Sequence, residues 1–430
     1  MSSPISSASG LVEHLFRHES GKLVASLTRL LGMHHVDLAE EIVQDTLLKA
    51  LQIWPFQMPR GNPSAWLMRV AKNRAIDIIR QEKNRQRFAQ IYASHSEGRI
   101  ASQVDELITE ARFLDDQLHM MFACCHPGLS LETQIVVTLN LLGGLAATEI
   151  AAAFLTSPET MQKRLYRARL QLKSCRTDLA LPPTHELSQR LDSVLAVLYL
   201  MFNEGYNTSR GSDPIRQDLC AEALRLVSLL IRHPKLQQPR VFALGALMCF
   251  HGARLKARTG ENGENFLLGY QNRKAWNQQL ITRGFQWLVH ARSGKRLSRY
   301  HLEAGIAAEH CRAESLQATN WGFIKAHYRL LLNLEESPFV ALNHAIAVWY
   351  DEGPDEAIKL LENLLAKESL NQYYLFHATF GEVAAALGQP RRAAASYHRA
   401  ISLTQSPAAR KILDAKLCQL GPLEGSFSSD

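Results

Sequence analysis

The sequence predicts an all-α protein, and three observations carry that expectation. Apolar residues recur at three- and four-residue spacing along most of the chain, with no convincing run of period-2 alternation. Gly (24) and Pro (16) both fall below average usage. Ala and Leu, strong helix formers, are abundant. The 430-residue length exceeds one ordinary domain; at roughly 100–200 residues each, two to four domains are expected.

Composition narrows the function classes. A chain that is 46% hydrophobic and 21% charged is not disordered as a whole. The net charge of +7 permits a nucleic-acid partner without requiring one. Seven Cys, none in Cys-x-x-Cys spacing, argue against a disulfide framework and fit a reducing compartment. Met1 to Gly10 has neither a basic nor an apolar signal region, and no 18-residue apolar run occurs. A cytoplasmic chain with no membrane contact is expected.

The first helical block covers residues 11–88. Within Ala39–Trp54, helical spacing puts Ala39, Val43, Leu47, Ala50 and Trp54 on one face, predicted to be core. The opposite face carries Glu40, Glu41, Gln44, Asp45, Leu48 and Gln52. An acidic stripe with an exposed Leu suits docking onto a basic partner, although a solvated face has the same pattern. Next, Asn62-Pro63 predicts a capped helix start. Leu67, Val70, Ala71, Ala75 and Ile78 form its expected core face, and Trp66, Arg69, Asn73, Asp77 and Arg80 fall elsewhere. From Arg60 to Arg87 there are eight basic residues against Asp77 and Glu82. Arg and Lys neutralise phosphates and an aromatic ring stacks on an unpaired base, so this face suits single-strand capture. A solvated basic helix is the plainer alternative.

Residues 89–110 turn polar and read as a linker. A second helical block covers 111–176. In it, Thr148–Phe154 predicts a short helix, Leu155-Thr156-Ser157 a turn, and Ser157-Pro158 the capped start of another helix. Met161, Leu165, Ala168 and Leu172 share one face of the latter; Thr160, Lys163, Arg164, Arg167 and Gln171 lie opposite. Small residues at the crossing and a basic outer face predict a helix-turn-helix. Leu181-Pro182-Pro183 then breaks helix.

A helical C-terminal domain is expected over 184–422. Asn203-Glu204-Gly205-Tyr206 reads as a helix end with Gly205 as its cap. Near 337–405 a weak repeat appears: Ala357, Leu361 and Leu364 recur 36 residues later as Ala393, Tyr397 and Ala400. That is helix-pair packing of tetratricopeptide type. Cys124-Cys125-His126 lacks a second Cys/His pair at ligand spacing and reads as core thiols. No phosphate loop, nucleophile elbow or paired-carboxylate constellation occurs, so no catalytic residue, metal or cofactor is expected.

The acidic helix, the basic Trp66 helix and the helix-turn-helix, in this order, resemble the bacterial sigma-70 superfamily, in particular its extracytoplasmic-function group. Leu155 departs from the Gly usual in that motif's turn. Phe122–Leu129, Leu198–Tyr206, Leu302–His310 and Ser337–Ala347 further resemble a long subgroup with a tetratricopeptide-like C-terminal domain. The resemblance implies a non-catalytic sigma factor that binds core RNA polymerase and directs promoter-specific initiation. It implies polymerase contacts at Glu40, Glu41, Gln44, Asp45 and Leu48. It implies promoter contacts at Trp66, Arg69, Asn73, Arg74, Asp77 and Arg80, and at Ser157, Thr160, Lys163, Arg164 and Arg167. A protein or small-molecule regulator at the C-terminal domain is expected. The alternative is a helix-turn-helix regulator that senses a ligand or peptide and never joins polymerase.

Overall fold

The computed structural model describes residues 19–59, 62–89, 110–154, 156–175, 179–206, 214–258, 268–294, 296–404 and 407–420. Every regular element among them is helical. The chain divides into two compact units: residues 1–205 with 225–230, and residues 206–224 with 231–430. The polar stretch 90–109 and Leu155 lie outside the described residues.

The first unit opens with α1 (residues 19–31), which stops at Gly32, where φ is 91°. Then come α2 (Val36–Ile53) and α3 (Pro63–Ala89). The predicted core face of α2 is the observed one: Ala39, Val43, Leu47, Ala50 and Trp54 are all buried. On α3, Leu67, Ala71 and Ala75 are buried, while Val70 and Ile78 are only half-buried, at the margin of the apolar stripe. Next follow α4 (Glu110–Cys124), α5 (Leu131–Leu141), α6 (Ala147–Ala153) and α7 (Pro158–Ser174). Gly21 lets α1 approach the end of α5; a Cβ there would lie 2.0 Å from the Leu142 carbonyl oxygen. Buried Asp116 ties α4 to α1, accepting from Arg29 Nη1 at 2.5 Å and Ser26 Oγ at 3.0 Å. Cys124 and Cys125 are buried, and burial pushes both thiols up, Cys125 to about 12.

Helix α8 (Thr184–Tyr206) begins just after Pro182-Pro183. Residues 184–205 nevertheless group with the first unit, and Arg190 donates to the Phe122 carbonyl at 2.6 Å. Gly205 is not a cap. The apolar face through Leu198, Met201 and Phe202 continues through it at helical spacing, and it is buried in the last turn of α8.

The second unit takes in most of α9 (Pro214–Arg232), whose residues 225–230 group with the first. It continues with α10 (Pro239–Arg258), α11 (Gln278–Ala291), α12 (Arg299–Arg312) and α13 (Trp321–Leu334). Two helical hairpins follow, α14 (Pro338–Glu352) with α15 (Pro354–Leu364), and α17 (Tyr374–Ala386) with α18 (Pro390–Leu403). The short α16 (Glu368–Asn371) lies between them in sequence and α19 (Pro407–Gln419) follows. Gly353 and Gly388, at φ 103° and 69°, make the two hairpin turns. The residues of the 36-residue repeat, Ala357, Leu361, Leu364, Ala393, Tyr397 and Ala400, are all buried in one core cluster.

Candidate nucleic-acid interface

The start of α3 is built as its sequence dictates. Asn62 Oδ1 accepts from the Ser64 backbone N–H at 2.9 Å, and Pro63 is the first helical residue. With Leu67, Ala71 and Ala75 turned into the core, Arg69, Asn73, Arg74, Asp77 and Arg80 are exposed. Trp66 is half-buried and packs edge-on against buried Trp54, ring centroids 5.6 Å apart. Its ring is therefore shared between packing and the surface.

In the helix-turn-helix, α6 and α7 pack against each other. Glu149 Oε2 accepts from the Ala146 N–H at 2.8 Å at the start of α6. Ser157 Oγ accepts from the Thr160 N–H at 3.2 Å at the start of α7. The predicted inner face, Met161, Leu165, Ala168 and Leu172, is buried. Ser157, Thr160, Lys163, Arg164 and Arg167 are exposed. Arg164 pairs with Glu132 of α5, both side chains well exposed. Among the described residues, Lys163 and Arg167 form no ion pair.

On α2, Glu41, Gln44, Asp45 and Leu48 are exposed. Glu40 is not: its side chain is 14% exposed and meets α7. Arg169 Nη2 donates to Glu40 at 2.8 Å and to Asn140 Oδ1 at 2.6 Å. Lys173 pairs with Asp37. These side chains, with Tyr166, line a cleft of about 380 Å³. Arg169, Lys173, Asn140 and Asp37 were not expected at a site. Gln162, Tyr166, Arg169 and Lys173 do recur at helical spacing, a third face of α7 that sequence could have offered. Sequence reading also missed exposed Leu51, Ile53, Phe56 and Met58 at and beyond the end of α2. Phe56, at 91% exposure, is the most exposed large apolar side chain among them.

Burial outweighs Arg169 and pushes the Glu40 carboxyl up to about 7, with Asp37 adding to the rise. Between its ordinary value near 4.5 and about 7, the native chain holds a proton that the unfolded chain has released. Stability from this group is therefore full below about 4.5 and is lost as pH rises through about 7, on the order of 3 kcal/mol in all. Glu40→Gln is expected to remove that slope. Melting midpoints of wild type should fall relative to Glu40→Gln from about pH 5 to pH 8; parallel curves would contradict the assignment.

An all-helical unit that carries a capped basic helix on a small-residue partner and, separately, a helix of aromatic and basic residues has the make-up of a DNA-binding protein. Residues 15–85 match sigma-70 region 2, and residues 119–172 match sigma-70 region 4. These two domains support a protein of sigma-70 type and indicate a sigma-factor-like role in transcription initiation. Residues 190–292 match a family of unknown function, DUF6596. The chain is 34% identical to the uncharacterized protein R00370 of Rhizobium meliloti (strain 1021) over 370 residues, 86% of each chain. It is 26% identical to the ECF RNA polymerase sigma factor SigK of Mycobacterium ulcerans (strain Agy99) over 142 residues, 32% of this chain and 71% of that one. No solved structure matches it. No helix among the described residues is long and apolar enough to cross a membrane.

Proposed function

We propose that the chain is a sigma factor of the extracytoplasmic-function group that joins core RNA polymerase in the cytoplasm. The exposed stripe Glu41, Gln44, Asp45 and Leu48 docks on the polymerase, and Glu40 joins it once released from Arg169. Trp66, Arg69, Asn73, Arg74, Asp77 and Arg80 take the melted strand. Ser157, Thr160, Lys163, Arg164 and Arg167 of α7 face the upstream duplex. The C-terminal helical hairpins, tetratricopeptide-like in construction, carry regulation through a protein or small-molecule partner. The observation that supports this best is one chain holding both the acidic α2 stripe and two separate basic surfaces. A regulator that only binds DNA has no use for the stripe.

Reversing Glu41 and Asp45 to Lys tests the docking. Both are exposed, so the double variant should melt within about 1 kcal/mol of wild type. Its retention on immobilised core polymerase should drop by an order of magnitude or more. Normal retention of the folded variant would leave the stripe without this role.

A further inference from the structure

The second unit holds a group of positive charges outside the residues that match sigma-70 regions 2 and 4. Arg254 of α10 is 8% exposed, and its Nε donates to Gln271 Oε1 at 3.2 Å. Arg273, half-buried in the turn before α11, donates through Nη1 to the His310 and Ala313 carbonyls at 2.6 and 2.7 Å. Both guanidiniums lie against buried Trp276, their Cζ atoms 5.2 and 5.1 Å from its ring centroid. One turn beyond Arg254, Arg258 lies 4.2 Å from the centre of the Tyr206 ring and donates to the Tyr206 carbonyl. Among the described residues none of these three arginines forms an ion pair.

The neighbouring imidazoles do not offset the charge. Burial first, then Arg254 and Arg273, push His310 down to about 3. Burial, then Arg254 and Arg258, do the same to His251. Both rings are neutral near pH 7. Among the described residues, the buried polar atoms Arg273 Nη2, Trp276 Nε1 and His310 Nδ1 also lack a hydrogen-bond partner. Buried cations are ordinarily paired, and buried N–H groups ordinarily find an acceptor. Two guanidiniums against one indole whose N–H is unclaimed, with no ion pair to either among the described residues, suit a ligand that is negative and rich in acceptors.

We propose that Arg254, Arg273 and Trp276 bind a small oxyanion, the phosphate or carboxylate group of a small molecule. The two guanidiniums supply charge and fork geometry, and Trp276 Nε1 and Arg273 Nη2 supply the unclaimed donors. This gives a chemical class to the regulator of the C-terminal region. It rests on that reading only for its consequence in transcription, since binding is measured without polymerase or DNA.

The test is calorimetric titration of the full chain with inorganic phosphate and, separately, with succinate, at an ionic strength held constant with sodium chloride. Saturable one-to-one binding of at least one anion is expected. Binding of phosphate alone marks a phosphate site, of succinate alone a carboxylate site, and of both an undiscriminating oxyanion site. Arg254→Gln should weaken binding about 10- to 100-fold while the melt shows a folded chain. If that variant fails to fold, Trp276→Phe, which keeps a ring and removes the N–H, is read in its place and should bind about 3- to 10-fold more weakly. The proposal is overturned if neither anion binds the wild-type chain saturably, or if the folded variants bind as wild type does.

Discussion

Replacing Lys163 and Arg167 together by Ala is expected to abolish most of the affinity for upstream promoter duplex. Both side chains are exposed on the outer face of α7, opposite its buried Met161, Leu165, Ala168 and Leu172, and neither forms an ion pair among the described residues. Each is worth about 1–3 kcal/mol if it reads a base edge, which is roughly 5- to 150-fold apiece. If both contact phosphate only, the loss should be the same on every sequence and the salt slope should drop by about one per residue. Arg164→Ala should do less, because Glu132 already holds its guanidinium in the free chain. A binding titration at low salt distinguishes these outcomes. Unchanged affinity on every sequence would remove α7 from the groove.

The second large effect is on stability. Trp54→Ala is expected to destabilise the chain by about 3–5 kcal/mol, because the ring is 2% exposed and its removal leaves a cavity under α3. Trp66→Ala should cost less stability, since that ring is half-buried. It should instead lose about 1–3 kcal/mol of single-strand affinity, the worth of one stacked base. Denaturant melts and single-strand titrations of the two variants separate packing from capture. Equal melting of Trp54→Ala and wild type would mean that α2 and α3 are not held by that ring.

Helices α2, α3 and α7 also show how far the sequence could be read. The α2 core face and the α7 inner face follow from 3.6-residue periodicity, and Asn62 and Ser157 announce their helices by capping chemistry; both act within a few residues. Glu40 escaped such a reading because its partner Arg169 is 129 positions away. Periodicity placed Glu40 on the outer face of α2 but is blind to what covers that face. Gly205 was misread for a related reason. A glycine after a polar pair has the local signature of a cap, but the apolar face of α8 passes through it, and burial decided. The break at Pro182-Pro183 does start α8, yet the packing of that helix, marked by Arg190 on the Phe122 carbonyl, groups it with the residues before the break. Arg254, Arg273 and Trp276 stand on separate segments with no motif between them, so only the folded chain brings them together.

The proposed function turns on this chain conferring promoter selection on RNA polymerase. The most direct measurement is transcription in vitro with purified core polymerase on a library of promoter fragments from the source genome. Core alone should give no discrete starts. Core with the full chain should give discrete transcripts from a defined promoter set, and the Lys163→Ala/Arg167→Ala variant should lose them. Sequence-specific binding of the chain to DNA fragments, with no discrete start on any of them when core is added, would contradict it and leave a DNA-binding regulator that never joins polymerase.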